Sequence, residues 1–130
     1  MRNRLFLWSV AAVFAGTISC MAASTVTVEP GDVTALTNYM ATLSGGSTII
    51  LKPGVYDLSQ VHETYSGWGY YHLIANGKRL IIKGQNTKHW SEKTPEEETV
   101  LRGDGTATIL YGHGGGGRQT SVWHITFENG

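Results

Sequence analysis

The sequence predicts an all-β chain in which short, mostly parallel strands follow one another around a coil, behind one short helix. Three observations lead there. First, "IIKG" (81–84), "VLRG" (100–103) and "ILYG" (109–112) share a form, two β-favouring apolar residues, a variable third and a glycine, with "TFENG" (126–130) a looser copy. A short strand that bends, repeats and bends again winds a coil, and glycine or asparagine after each strand supplies the left-handed backbone for the bend. Second, "TIIL" (48–51) and "RLII" (79–82) are almost continuously apolar, as strands of parallel sheets are. Third, only one stretch carries helical spacing.

The elements follow in order. Arg2 and Arg4 precede an apolar run, Leu5 to Ile18, and "SCMAA" then places Cys20 and Ala22 at the −3 and −1 positions for cleavage after Ala22. This is the pattern of a secretory signal peptide over residues 1–22, and the run is shorter than the roughly 20 apolar residues of a membrane span. "TISC" partly resembles a lipobox that would lipidate Cys20, but Thr17 stands where a larger aliphatic residue is expected. Cys20 is the only cysteine, so the mature chain has no disulfide framework. Removing Arg2 and Arg4 from the 10 basic residues leaves 8 against 10 acidic, about −2. That balance lacks the basic stripe of a nucleic-acid binder. Nor is there a basic amphipathic helix for a membrane surface.

"STVTVEP" (24–30) alternates as a strand, and Asp32 then caps a helix whose stripe is Val33, Leu36, Met40 and Leu43, stopped by Gly45-Gly46. In "STIILKPGVYDL", Pro53-Gly54 suits the centre of a type II turn between two strands. Residues 59–71 form a polar and aromatic loop leaving the coil, followed by the strand "HLIA", Asn76-Gly77 and "RLIIKG". Asn-Gly is also the strongest hairpin signal, so an antiparallel "HLIA-NG-KRLII" is the rival local reading. "SEKTPEEE" (91–98) reads as a solvated acidic loop, and "GHGGGGR" (112–118) as a corner before the last strand, Val122 to Phe127. No Gly-Lys-Ser/Thr follows those glycines, so they are not a phosphate loop.

The combination of the short helix, "GGSTIILKPGVYDLS" (45–59), "KRLIIKGQN" (78–86), "ETVLRGDG" (98–105) and "VWHITFENG" (122–130) resembles the N-terminal region of right-handed parallel β-helix proteins, the pectin-lyase-like superfamily. The resemblance covers nearly all of residues 24–130. It implies a strand and cap helix over 23–46 and the first rungs of a β-helix over 47–130, with an incomplete C-terminal end. "RLIIKG" and "HITFEN" are expected to stack on one face, with "TVLRG" and "TILYG" on the other two. The helix caps one mouth, while at the other an open strand edge awaits further rungs or another chain. A truncated product is the expectation.

The superfamily holds lyases, hydrolases, esterases and adhesins, and its enzymes draw catalytic carboxylates from neighbouring rungs. Here Glu128 and Lys83 are expected as an ordinary cross-strand ion pair, and Asp57 and Asp104 look local to turns. No catalytic residues, metal ligands or cofactors are assigned. His62, His72, His89, His113 and His124 make no His-x-x-x-His pair, and His72 and His124 read as strand residues satisfied by hydrogen bonds. Arg102-Gly103-Asp104 spells an adhesion tripeptide but coincides with a strand end. The candidate carbohydrate-binding residues are Tyr65, Trp68, Tyr70 and Tyr71, aromatic faces set among glycines and serine that suit sugar rings, or else fold back onto the coil. The expected function is that of an exported protein that binds or acts on polysaccharide. The alternatives are an adhesin or autotransporter-like stalk without catalysis, or a non-functional fragment.

Overall fold

The computed structural model describes residues 22–61, 63–65, 69–113 and 119–130. The signal segment (apart from Ala22), His62, Trp68 and the glycine run 114–118 lie outside the described residues. Among the described residues strands dominate, most of them in parallel sheets, with one α-helix. Among the described residues no helix is long and apolar enough to cross a membrane.

The strands are β1 (Thr25–Val28), β2 (Thr48–Leu51), β3 (Gly54–Asp57), β4 (Glu63–Tyr65), β5 (Gly69–Asn76), β6 (Ile81–Gly84), β7 (Thr99–Arg102), β8 (Thr108–His113), β9 (Ser121–Trp123) and β10 (Thr126–Glu128). They form three sheets in the orders β1-β2-β6-β9, β3-β7-β10 and β4-β5-β8. From β2 onward the chain visits the first, second and third sheets in turn and begins again. Every pairing between successive visits is parallel. Among the described residues the one antiparallel pair is β4 with β5. There is therefore no hairpin at Asn76-Gly77: β5 and β6 belong to different sheets, and Gly77 (φ 67°) turns the chain from one to the next. The polar and aromatic segment is not a simple loop either. Its ends pair as a hairpin, Thr64 opposite Tyr70 and Tyr65 opposite Gly69.

The helix, α1 (Val33–Thr42), forms where the spacing places it. Asp32 Oδ1 accepts from the Ala35 amide at 3.1 Å and so satisfies a first-turn donor. Lys78 Nζ reaches back to the Met40 and Ala41 carbonyls near its other end. Leu36 and Met40 are buried in the same core as Val28, Ile49, Leu51, Leu73, Ile82 and Leu101, with Val33 and Leu43 packed at the margin. Burying an aliphatic side chain of this kind stabilises by roughly 1.5–3 kcal/mol relative to exposure.

The Pro-Gly-x-Tyr segment has a clear physical reason. Gly54 (φ 138°) lies directly against the Pro30 ring, where a Cβ would collide. Two residues on, Tyr56 is fully buried and its hydroxyl lies 2.8 Å from both the Val28 and Lys52 carbonyls, joining β1 to the turn. Burial, with Glu29 nearby, pushes this phenol above its ordinary range, so it remains a donor.

The last segment corrects two expectations. "SVWHITFENG" is not one strand: His124 takes a left-handed conformation (φ 55°) and splits it into β9 and β10. As a result β9 stacks on β6, with Trp123 beside Lys83, whereas β10 stacks on β7. Glu128 thus pairs not with Lys83 but with Arg102, Nε to Oε2 at 2.6 Å. The shared glycines also act differently from the expectation. Gly84 and Gly103 have no positive φ. They are small because the His124 and Asn129 carbonyls of the following circuit pass across them. At these two corners the left-handed residues are His124 and Asn129 (φ 53°), the non-glycine residues of positive φ among those described. Gly84→Ala is therefore expected to lower stability by about 1–3 kcal/mol in urea denaturation. Gly31→Ala, where nothing lies within 4 Å, should change it by less than about 0.5 kcal/mol. Equal midpoints for the two variants would contradict this account.

Candidate functional site

The four aromatic candidates separate once the hairpin is in place. Tyr71 is 9 % exposed, and its ring centroid lies 4.6 Å from that of Tyr111 on β8, tilted 38°. It packs the third sheet. Tyr70, one residue earlier, points to the opposite face, as alternation along a strand requires, and is 62 % exposed. Tyr65 lies on β4 across from Gly69, next to the Thr64–Tyr70 pair. Trp68 falls outside the described residues.

Tyr70 forms a wall of a shallow cleft of about 330 Å³ shared with Gly105, Thr106, Thr108 and Gly130. The cleft lining is mainly polar, with two exposed threonines, and the exposed Tyr70 ring beside it supplies the flat apolar surface. The turn beneath is rigidly held. Asp104 Oδ1 accepts from the Thr106 amide at 2.9 Å and its hydroxyl at 2.5 Å. With its proton committed to Asp104, the Thr106 hydroxyl presents its oxygen as an acceptor. The buried His72 ties this turn to the hairpin: Nε2 lies 3.3 Å from Asp104 Oδ1, and Nδ1 donates to the Val61 carbonyl. The Thr106 hydrogen bonds, and then His72, hold the Asp104 carboxyl at about 2, below its ordinary 3.8, against the opposing effect of desolvation.

A row of charges crosses the outer face of the second sheet at one register position: Asp57, Arg102 and Glu128. Asp57 also accepts from the Ser59 amide at 3.0 Å, the main reason its carboxyl lies below the ordinary range. The two carboxylates stand two strand spacings apart, roughly 10 Å, with the guanidinium between them. This arrangement joins three circuits electrostatically, and at exposed positions it adds little stability. Among the described residues no group of three or more His, Cys, Asp or Glu could hold a metal ion.

A second cleft, of about 310 Å³, lies between the first and second sheets and was not singled out by sequence reasoning. Its wall is Trp90, 78 % exposed, on a 3₁₀ turn (Trp90–Glu92). His89, Lys93, Glu98, His124 and Thr126 complete the lining with Lys88 and Ile125. The segment "SEKTPEEE" is largely exposed, as expected of a solvated loop, and is also tied down at Glu97. Glu97 binds Lys88 at 2.6 Å and Asn86 at 3.0 Å, and these contacts lower its carboxyl below the ordinary range. "KHW" (88–90), a tryptophan directly after a cationic and an imidazole side chain and outside any strand, was the available signal. His124 lines this cleft at a corner and is not a strand residue.

Comparison with protein-family models, characterised proteins and solved structures finds no match.

The Asp104 turn makes a pH prediction. A carboxyl depressed in the folded state contributes stability that is complete above its unfolded value and is lost as pH falls through the folded one. Urea midpoints of the wild type should thus drop between pH 4 and pH 2. For Asp104→Asn the drop should be shallower, and parallel curves would contradict the assignment.

Proposed function

We propose that this chain is built on a right-handed parallel β-helix of the pectin-lyase-like kind, and that it belongs to an exported protein that binds polysaccharide. The observation that carries the fold is the cyclic order of the strands, first, second and third sheet and round again, with each visit parallel to the last. Crossovers between parallel strands are right-handed in nearly all proteins, which supports the hand. The helix stripe buried with Val28 and Leu51, and the Pro-Gly-x-Tyr turn anchored through Tyr56, support the family likeness.

Tyr70 supports the ligand class. A phenol ring held on a two-stranded support, beside the hydroxyls of Thr106 and Thr108, matches a pyranose, which is apolar on its C–H face and hydroxylated around its edge. Export rests on the segment from Arg2 to Ala22, whose basic start, apolar core and small-residue exit form a cleavable leader.

Two experiments test this. Recovered from outside the cytoplasm, the protein should begin at Ala23 by N-terminal sequencing; retention of Leu5 to Ile18 would contradict export. In affinity electrophoresis through gels containing polygalacturonate, alginate, xylan or mixed-linkage β-glucan, at least one polymer should retard the wild type. Tyr70→Ala, with an unchanged circular dichroism spectrum, should bind that polymer about tenfold more weakly, as loss of a central aromatic anchor does. Migration unaffected by every polymer would overturn the reading.

A further inference from the structure

We propose that the Trp90 cleft is a second glycan-binding site, independent of the one at Tyr70, which makes each molecule bivalent for polysaccharide. The inference rests on the polysaccharide reading above and extends it to a part of the surface that reading does not use.

Among the described residues Trp90 is the most exposed large hydrophobic one, at 78 %, yet it is not a loose side chain on a featureless loop. The 3₁₀ turn that carries it is capped by His89, whose Nδ1 accepts from the Ser91 amide, and the His89 ring lies 5.4 Å from the indole at 40°. Asn86 and Lys88 anchor the same segment to Glu97. The indole is thereby presented as one wall of a formed cleft.

The rim of that cleft selects the ligand. Lys93 donates, Glu98 accepts, Thr126 can do either, and the His89 and His124 imidazoles add further polar edges. A rim of both charge signs suits hydroxyls, which donate and accept, better than it suits a single ion. A flat apolar wall inside such a rim fits a sugar ring.

Independence follows from topology. The Trp90 cleft lies at the corner between the first and second sheets, and the Tyr70 cleft at the corner between the second and third. They share no lining residue, and β7 separates them in the chain between Glu98 and Gly105. Four residues of strand span roughly 13 Å, more than one sugar ring covers. Each cleft therefore engages its own stretch of polymer, and binding of a long chain gains from both together.

Nuclear magnetic resonance titration with hexasaccharides of polygalacturonate, alginate, xylan and β-glucan tests this on the chain after removal of its leader. The indole N–H of Trp90 and the amide of Tyr70 should both shift with the hexamer of a polymer that retards the protein. In Tyr70→Ala the indole should still respond, and in Trp90→Ala the Tyr70 amide should still respond. Trp90→Ala should also bind the long polymer about 10- to 100-fold more weakly than the wild type. An indole that does not move while Tyr70 does would overturn the second site and leave the first intact. If neither signal moves with any hexamer, both the second site and the polysaccharide reading fall.

Discussion

Backbone hydrogen bonds passed from one circuit of the chain to the next are the constraint on which everything else depends. At the start of the first sheet the Thr48 amide donates to Ser24, the Ile81 amide to Ser47 and the Ser121 amide to Leu80, at 2.8 to 3.0 Å. At its end the amides of Lys52 and Gln85 donate to Val28 and Leu51. The second sheet repeats the device, Gly54 to Glu98, Leu58 to Arg102 and Gly103 to Glu128. Strands of three or four residues have almost no stability alone. They persist here because each pairs in register with the circuit beside it, β2, β6 and β7 on both sides, and because inward side chains stack in rows such as Ile49–Ile82 and Tyr56–Leu101.

Such stacking has a steric consequence at the corners. Circuits one strand spacing apart must bring their turns together as closely as their strands, and a side chain at the wrong corner would prise them open. Gly84 beneath His124 and Gly103 beneath Asn129 meet that demand. The corners are also where the chain can leave and return without breaking a ladder. The β4–β5 hairpin and the 85–98 segment are two such departures, and they carry the exposed rings of Tyr70 and Trp90. A rigid stack thus positions the flat aromatic surfaces, while the departing segments supply the polar edges around them.

Much of this was legible from residues alone. The helix, its Asp32 cap and its buried stripe follow from spacing, and the continuous apolar character of "TIIL" and "RLII" correctly favoured parallel neighbours over an Asn-Gly hairpin. What escaped was of one kind. Apolar periodicity records which residues face inward, but a corner made by a non-glycine residue in a left-handed conformation leaves no mark on it. His124 is such a corner, so one strand was read where there are two, and Glu128 was matched to Lys83 in place of Arg102. The hairpin was hidden for a related reason: tyrosine, glycine and serine compose loops and twisted two-stranded ribbons alike. Trp90 was overlooked because charge dominated the reading of its neighbours. Of the candidate tyrosines, the distinction between Tyr70 and Tyr71 required knowing which face of β5 turns toward the core.

The central claim is that successive circuits run parallel and in register, and cross-linking tests it directly. In a protein with Cys20→Ser, Val55→Cys and Val100→Cys place two thiols at matched positions of β3 and β7. The strand spacing of about 4.8 Å lies within disulfide reach. This pair should close on mild oxidation, while Val55→Cys with Arg102→Cys, two positions out of register, should remain reduced. Closure of the second pair in preference to the first would mean that the strands run differently, and the account would fail.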